Sequence, residues 1–490
     1  MSRHGAHEKD YRNSSSDDGA SDRHGHAELY DRPKGIKGIY YHPATQVSML
    51  AFVVSFFMCP GLFNALNGLG GGGQLDPTTS ANANVALYSS FAFFAFFAGS
   101  INNKLGSRLT LLLGSFGYCL YIGSYLAMNI HPNAGGFVIG AGVILGLCAG
   151  LLWTAQGSLM LGYPTENQKG LFIGIFWSIF NLGGVVGAAV ATGQNWSSKQ
   201  ISLVGNGTYI GFLILTGIGV LIPLCMADPD KMIRTDGTKV TAFRHPSWRT
   251  EIYGLWVALR TDPLIVLLFP MFFASNWFYT WQFNDYNAAL FNIRARSLNN
   301  LVYWMSQVVG SLSIGLLLDQ RRLSRRVRAF SGCAILFCMV FIVHIWAYFY
   351  QRQVNHLETS DLELTGCDRE YTRASEPPDS HKMDVYDHGY AAKIWLYIFC
   401  GLLDAMWQTT AYWVMGAMSN DPGKLAHFTG FYKSIQSAGA AGVWRADAVQ
   451  VPYMSLFIST WVLLVAGLVF ALPMIHMRVK DYTDLSDETL

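Results

Sequence analysis

Two ionisable residues stand where a charge is hard to keep. Asp404 lies near the middle of an apolar run over 390–418, and Lys433 lies about two turns into another over 425–446. A charge at the centre of a bilayer costs at least ~2.5 kcal/mol on insertion scales, so such groups usually pair or line a cavity. An acid and a base on successive spans can neutralise each other, and they can also exchange a proton or engage an ionic solute. The sequence therefore predicts an Asp404–Lys433 pair facing a cavity. The plainer reading is an ion pair that only fixes helix register.

Neutral polar residues extend this set. Trp177 holds the place in the fifth span that Lys433 holds in the eleventh, and Asn181 follows one turn later on the same face. Trp153 and Gln156 project from the fourth span three residues apart, hence on neighbouring faces. Asn64 and Asn67 close the first span beyond Pro60 and Gly61, which can kink a helix. Each is a candidate for the cavity wall; the alternative is an interhelical hydrogen bond worth about 0.6 kcal/mol. Arg445 and Asp447, at the end of the eleventh span, suggest a gate pair or an arginine snorkelling to the interface.

Other chemistry is excluded by pattern. The chain has no Ser-His-Asp set, no H-E-x-x-H and no C-x-x-C pair, so no catalytic residues are expected. The glycine run from Gly68 to Gly73 lacks the Lys-Ser/Thr of a phosphate loop. Gly140, Gly142, Gly146 and Gly150 lie inside an apolar span, where small residues let helices approach closely. The histidines near the start lack the spacing of a zinc site. No metal, cofactor or nucleic-acid partner is expected.

The elements that must position these residues are membrane helices. Of 490 residues, 51% are hydrophobic and 13% are charged, and about 20 apolar residues cross the hydrocarbon core. Apolar spans are read at 47–69, 83–102, 108–130, 136–160, 170–192 and 208–227, then at 262–284, 298–318, 328–350, 390–418, 425–446 and 453–476. The expected organisation is a disordered tail over 1–46, a six-helix bundle over 47–227, a linker over 228–261, a second bundle over 262–476 and a tail over 477–490. A long loop over 351–390 interrupts the second bundle. The short loops that would share the cytoplasmic side with both termini hold Lys104, Arg108, Lys169, Arg321, Arg322, Arg325, Arg326, Arg328 and Lys424. This bias sets the orientation. Two N-glycosylation sequons, at Asn195 and Asn206, fall on the opposite side.

The halves echo each other. Gly99, Asn103, Lys104, Gly106 and Arg108 close the second span, and Gly315, Asp319 and Arg321 close the eighth. The fifth span has Phe172, Gly174 and Ser178 where the eleventh has Phe428, Gly430 and Ser434. Parallel six-span halves form the major facilitator pattern. The loop after the second span resembles that superfamily's gate motif, with Asn103 in place of the acidic residue and Ser107 in place of the first arginine. The stretch from Pro60 to Gln74, the run Trp153, Thr154, Ala155, Gln156, Gly157 and the Gly174–Trp177 stretch resemble the Unc-93-like branch, with wording closest to its fungal members. The resemblance implies a twelve-helix, all-α polytopic membrane fold in two pseudo-repeated bundles, resident in the plasma membrane or an endomembrane. It implies one of two roles. One is a secondary transporter moving a small solute or ion by alternating access. The other is a non-transporting regulator or trafficking partner of a channel or receptor.

Overall fold

The computed structural model describes residues 34–55, 77–196, 206–240, 263–353, 381–420 and 422–481, with 253, 256, 257, 260, 372, 373, 376 and 377 between them. Asn64, Asn67 and the Gly68–Gly73 run lie outside the described residues.

The described chain is helical. After a short helical segment, Gly35–Tyr40, come α1 (Pro43–Ser55), α2 (Pro77–Leu105), α3 (Ser107–Ile130), α4 (Gly135–Gly162), α5 (Lys169–Asn195) and α6 (Asn206–Leu221). The second set is α7 (Phe269–Ala274), α8 (Ile293–Leu318), α9 (Arg325–Gln353), α10 (Tyr390–Gly416), α11 (Pro422–Ala448) and α12 (Tyr453–Arg478). Seven of the described helices are long and apolar enough to cross a membrane. Two of the others, α10 and α11, have the length but carry Asp404, Gln408, Lys433 and Gln436. Their polarity has a place to go, as shown below.

The expected seventh span, 262–284, is not one helix. It starts as a 3-10 turn over Pro263–Leu268, becomes α7, loosens into turns and ends as a π-helix over Trp281–Ala288. Pro270 removes a backbone donor in this stretch, and π segments mark places where a helix admits an extra residue. The eighth helix begins five residues before its apolar run because Asn292 caps it, accepting from the Ala295 N–H at 3.0 Å.

Packing repeats between the halves. In the first, α2 lies on α4, α4 on α3, α3 on α6, and α1 on α5; in the second, α8 lies on α10, α10 on α9, α9 on α12, and α7 on α11. The halves meet through a matching pair of contacts, α5 with α8 and α2 with α11. Of the glycines foreseen as packing residues, Gly142, Gly146 and Gly150 serve that purpose, whereas a Cβ on Gly140 would meet nothing within 4 Å. A Cβ on Gly142 would lie 2.8 Å from the Ala83 carbonyl oxygen, so α2 and α4 touch backbone to backbone. The same holds between halves, where a Cβ on Gly170 would lie 2.6 Å from the Gly315 carbonyl.

The arginine cluster that the sequence presents as a topology signal also closes helix ends. Arg328 donates to the Leu318 carbonyl at 2.9 Å, and Arg326 to the Val479 carbonyl at 3.2 Å. Cations at helix C-termini satisfy orphan carbonyls and oppose the helix dipole. The end of the molecule that carries this cluster is called the basic end below.

Candidate functional site

Asp404 is buried in the middle of α10 and accepts four hydrogen bonds. Its Oδ2 takes Tyr279 and Tyr303 hydroxyls, each at 3.0 Å, and Gln307 Nε2 at 2.9 Å; its Oδ1 takes Gln408 Nε2 at 2.9 Å. The donors come from the broken seventh span, from α8 and from the next turn of α10 itself. The irregular backbone beyond α7 places Tyr279 within reach. A carboxylate supplied with this many donors is well solvated by protein.

Lys433, on α11, is buried differently. Its Nζ donates to Gln436 Oε1 at 2.8 Å and otherwise faces aromatic rings. The ring centroids of Trp153, Tyr432 and Tyr412 lie 4.5, 5.0 and 5.4 Å from it. Cation–π attraction of this kind is stronger when the cation is desolvated.

The expected direct Asp404–Lys433 pair does not form. Two glutamines link the residues instead. Lys433 donates to Gln436, Gln436 Nε2 donates to Gln408 Oε1 at 3.3 Å, and Gln408 donates to Asp404. Asp404 is turned toward α8 and the seventh span, while Lys433 is drawn toward Trp153 of the first half. The glutamines fill the gap between them.

Lys433, Gln436 and Gln408 border a cavity that is partly open to solvent. Helices of both halves line it. Leu87, Tyr118, Leu145, Trp153, Trp177 and Phe180 come from α2 to α5, and Asn276, Tyr279, Gln307, Gln408, Lys433 and Gln436 from the second half. Trp153 and Trp177 stack at 6.4 Å, and the Trp153 indole donates to the Tyr118 hydroxyl at 3.1 Å.

The other sequence candidates divide. Gln156 is buried off the cavity, where it accepts from the Tyr412 hydroxyl at 3.4 Å and so joins the halves. Asn181 is also buried away from the cavity wall, and its amide makes no hydrogen bond among the described residues. Asp404 stands behind the wall, reaching the cavity through Tyr279, Gln307 and Gln408. Sequence reasoning passed over Tyr303, Gln307, Gln408 and Gln436. Two of these carried a signal: Gln408 follows Asp404 by four residues and Gln436 follows Lys433 by three, the spacings at which helix side chains meet.

At the basic end the two halves are held together. Asp319 of α8 accepts the Gly170 and Leu171 N–H groups of α5 at 2.9 and 2.6 Å. These are two of the unpaired donors at a helix N-terminus. Burial raises the Asp319 carboxyl above its ordinary value, and those two N–H groups offset only part of that rise. Lys169 Nζ donates to the Gly416 and Ser419 carbonyls and to Asn420 Oδ1. Asn103 reaches the Gly423 carbonyl at 3.4 Å and approaches His427 Nε2. Gly99 packs on Ala426 and His427. Lys104, Gly106 and Arg108 follow, with Arg108 turned to Asp228 at 3.3 Å and to the Leu224 carbonyl. The gate position thus contacts the other half without the usual acid.

At the opposite end Asp447 takes a partner other than Arg445, which leaves the snorkelling alternative for that arginine. Arg445 is exposed, and Arg373 of the long loop contacts Asp447 and lies 3.9 Å from buried Asp285. Asn195 ends α5 and Asn206 begins α6 at this same end.

A pseudo-repeated helical fold with a polar-aromatic cavity between its halves defines the transporter-type architecture of major facilitators. The Major Facilitator Superfamily profile matches residues 44–443. An UNC93-like protein of Schizosaccharomyces pombe is 44% identical over 94% of this chain and 88% of its own, and UNC93-like protein 1 of Arabidopsis thaliana is 38% identical over 95% and 96%. Among solved structures, the E. coli fucose:proton symporter superposes with a TM-score of 0.58, at 11% identity over 88% of this chain and 98% of that one. The chain belongs to the Major Facilitator Superfamily, in its UNC93-like branch, and is an integral membrane protein rather than an enzyme.

Proposed function

We propose that this protein is a secondary transporter that moves a small solute or ion by alternating access. One observation carries the reading: the cavity that holds Lys433 and the two glutamines is walled by both halves, so a solute in it would touch both. Rocking one half against the other then exposes the site to one side at a time. In this reading the residues over 47–227 and 262–476 move as two bodies, the basic end faces the cytoplasm, and the described contacts at Asp319, Lys169 and Asn103 belong to a form closed on that side. The neutral Asn103 weakens the usual charge contact of the gate, yet the residue still bridges the halves, which favours transport over a purely regulatory role.

The test is a pair of distances in reconstituted protein with its native cysteines replaced. Spin labels at Leu109 and Val327 report the basic end, and labels at Ile130 and Phe349 report the other; all four side chains are exposed. Alternating access requires two populations at each end, changing in opposite senses. A single distance at both ends, under every ion and membrane condition, would support a non-transporting regulator.

A further inference from the structure

The cavity wall is chemically divided. From the first half come aliphatic and aromatic groups, among them Leu145, Trp177 and Phe180. From the second come the polar groups Lys433, Gln436 and Asn276, an ammonium beside amides, together with the rings of Tyr279 and Trp304. Among the described residues Lys433 is the only charged side chain on the wall. Its ammonium has three N–H donors and spends one on Gln436. The three rings around it attract its charge but accept no strong hydrogen bond.

We propose, resting on the transporter reading, that the solute is a small organic monoanion with an apolar body. Its anionic group meets Lys433, and its body lies against Leu145, Trp177 and Phe180. A free inorganic cation fits this wall poorly. It would meet the ammonium first, because Asp404 stands behind Tyr279, Gln307 and Gln408 with both carboxyl oxygens already hydrogen-bonded. A polyanion fits poorly too, because one cation faces the cavity. A solute that needs one chemistry from each half is bound best when both walls are in place. This links binding to the movement of the halves.

The experiment is thermal stabilisation of the purified full chain by matched probes, since a ligand that binds the native state raises its apparent stability by mass action. The acids are benzoate, 4-phenylbutyrate and indole-3-acetate; each is compared with its amide and with the corresponding amine. Acetate and potassium chloride complete the set. The proposal expects at least one acid to act at a concentration at least about tenfold below its amide, with no effect of the amines, acetate or potassium. Lys433→Gln removes the preference and Lys433→Arg keeps it. If Lys433→Gln does not fold, the acid–amide comparison in the wild-type chain stands alone, and Asn276→Leu lowers the affinity for acid and amide alike. Equal action of acid and amide, preference for an amine or potassium, or no stabilisation by any acid overturns the proposal. The spin-label distances need no solute, so they test the transporter reading separately.

Discussion

Removing Asp319 should unlatch the basic end. Its carboxylate belongs to α8, in the second half, and caps α5, in the first, through bonds of 2.9 and 2.6 Å. Hydrogen bonds to charged groups contribute about 1.5–3 kcal/mol each, so two give at most about 6 kcal/mol. Leu171 is 37% exposed, so water would take over part of what is lost. A loss of roughly 2–4 kcal/mol for Asp319→Ala is expected on that basis. The bonds cross between halves, so in a protein that works by alternating access they exist only while that end is closed and the loss falls on the closed form. At about 1.4 kcal/mol per tenfold, the closed–open ratio changes roughly 30- to 700-fold. An open form held at about 1% would then rise to about a quarter of the population or more. Asp319→Asn keeps one acceptor oxygen and should fall between wild type and alanine. The assay is the Leu109–Val327 spin-label distance in lipid. An unchanged distance distribution in well-folded Asp319→Ala protein would refute the reasoning, because the bonds would then hold nothing that moves.

Other consequences follow from packing and charge. Gly114→Ala should destabilise the fold by about 1–3 kcal/mol of overpacking, read as a lower melting temperature in detergent, because its Cβ would lie 2.6 Å from the Leu152 nitrogen. Arg373→Ala should lower thermal stability by roughly 1–3 kcal/mol, since it leaves the carboxylates of Asp285 and Asp447 without their cation; adding Asp447→Asn should restore part of the loss. If the basic end is cytoplasmic, an N-glycosidase should increase the gel mobility of the protein made in a eukaryotic membrane, and Asn195→Gln with Asn206→Gln should abolish that change.

The helices were legible because an apolar run of the right length has few other fates. The third span, read at 108–130, is a helix over Ser107–Ile130, and the fourth, read at 136–160, runs over Gly135–Gly162. The seventh misled because its composition suits a span while Pro270 and the turns after Ala274 break the helix. At the site, Asp404 and Lys433 stood out because charge in an apolar run is rare. Their separation was not legible. It depends on which face of α10 meets α8 and on Trp153 reaching across from the other half, and neither is encoded in local spacing. Asn181 shows the reverse limit: a polar residue on the expected face, one turn from Trp177, is buried away from the cavity. Of the two readings of Arg445, partner of Asp447 or arginine snorkelling to the interface, its exposure agrees with the second. A distant loop arginine pairs with Asp447 instead, and sequence proximity carries no information about it.

A transporter working by alternating access opens one cavity to each side of the membrane in turn. Phe180 lines that cavity and is buried in the described form. A single cysteine at Phe180, in an otherwise cysteine-free chain in sealed vesicles, should react with a membrane-impermeant thiol reagent added to either face, and Asp319→Ala should speed the reaction from the basic side while slowing it from the other. Reaction from one face only, unaltered by Asp319→Ala, would contradict the account.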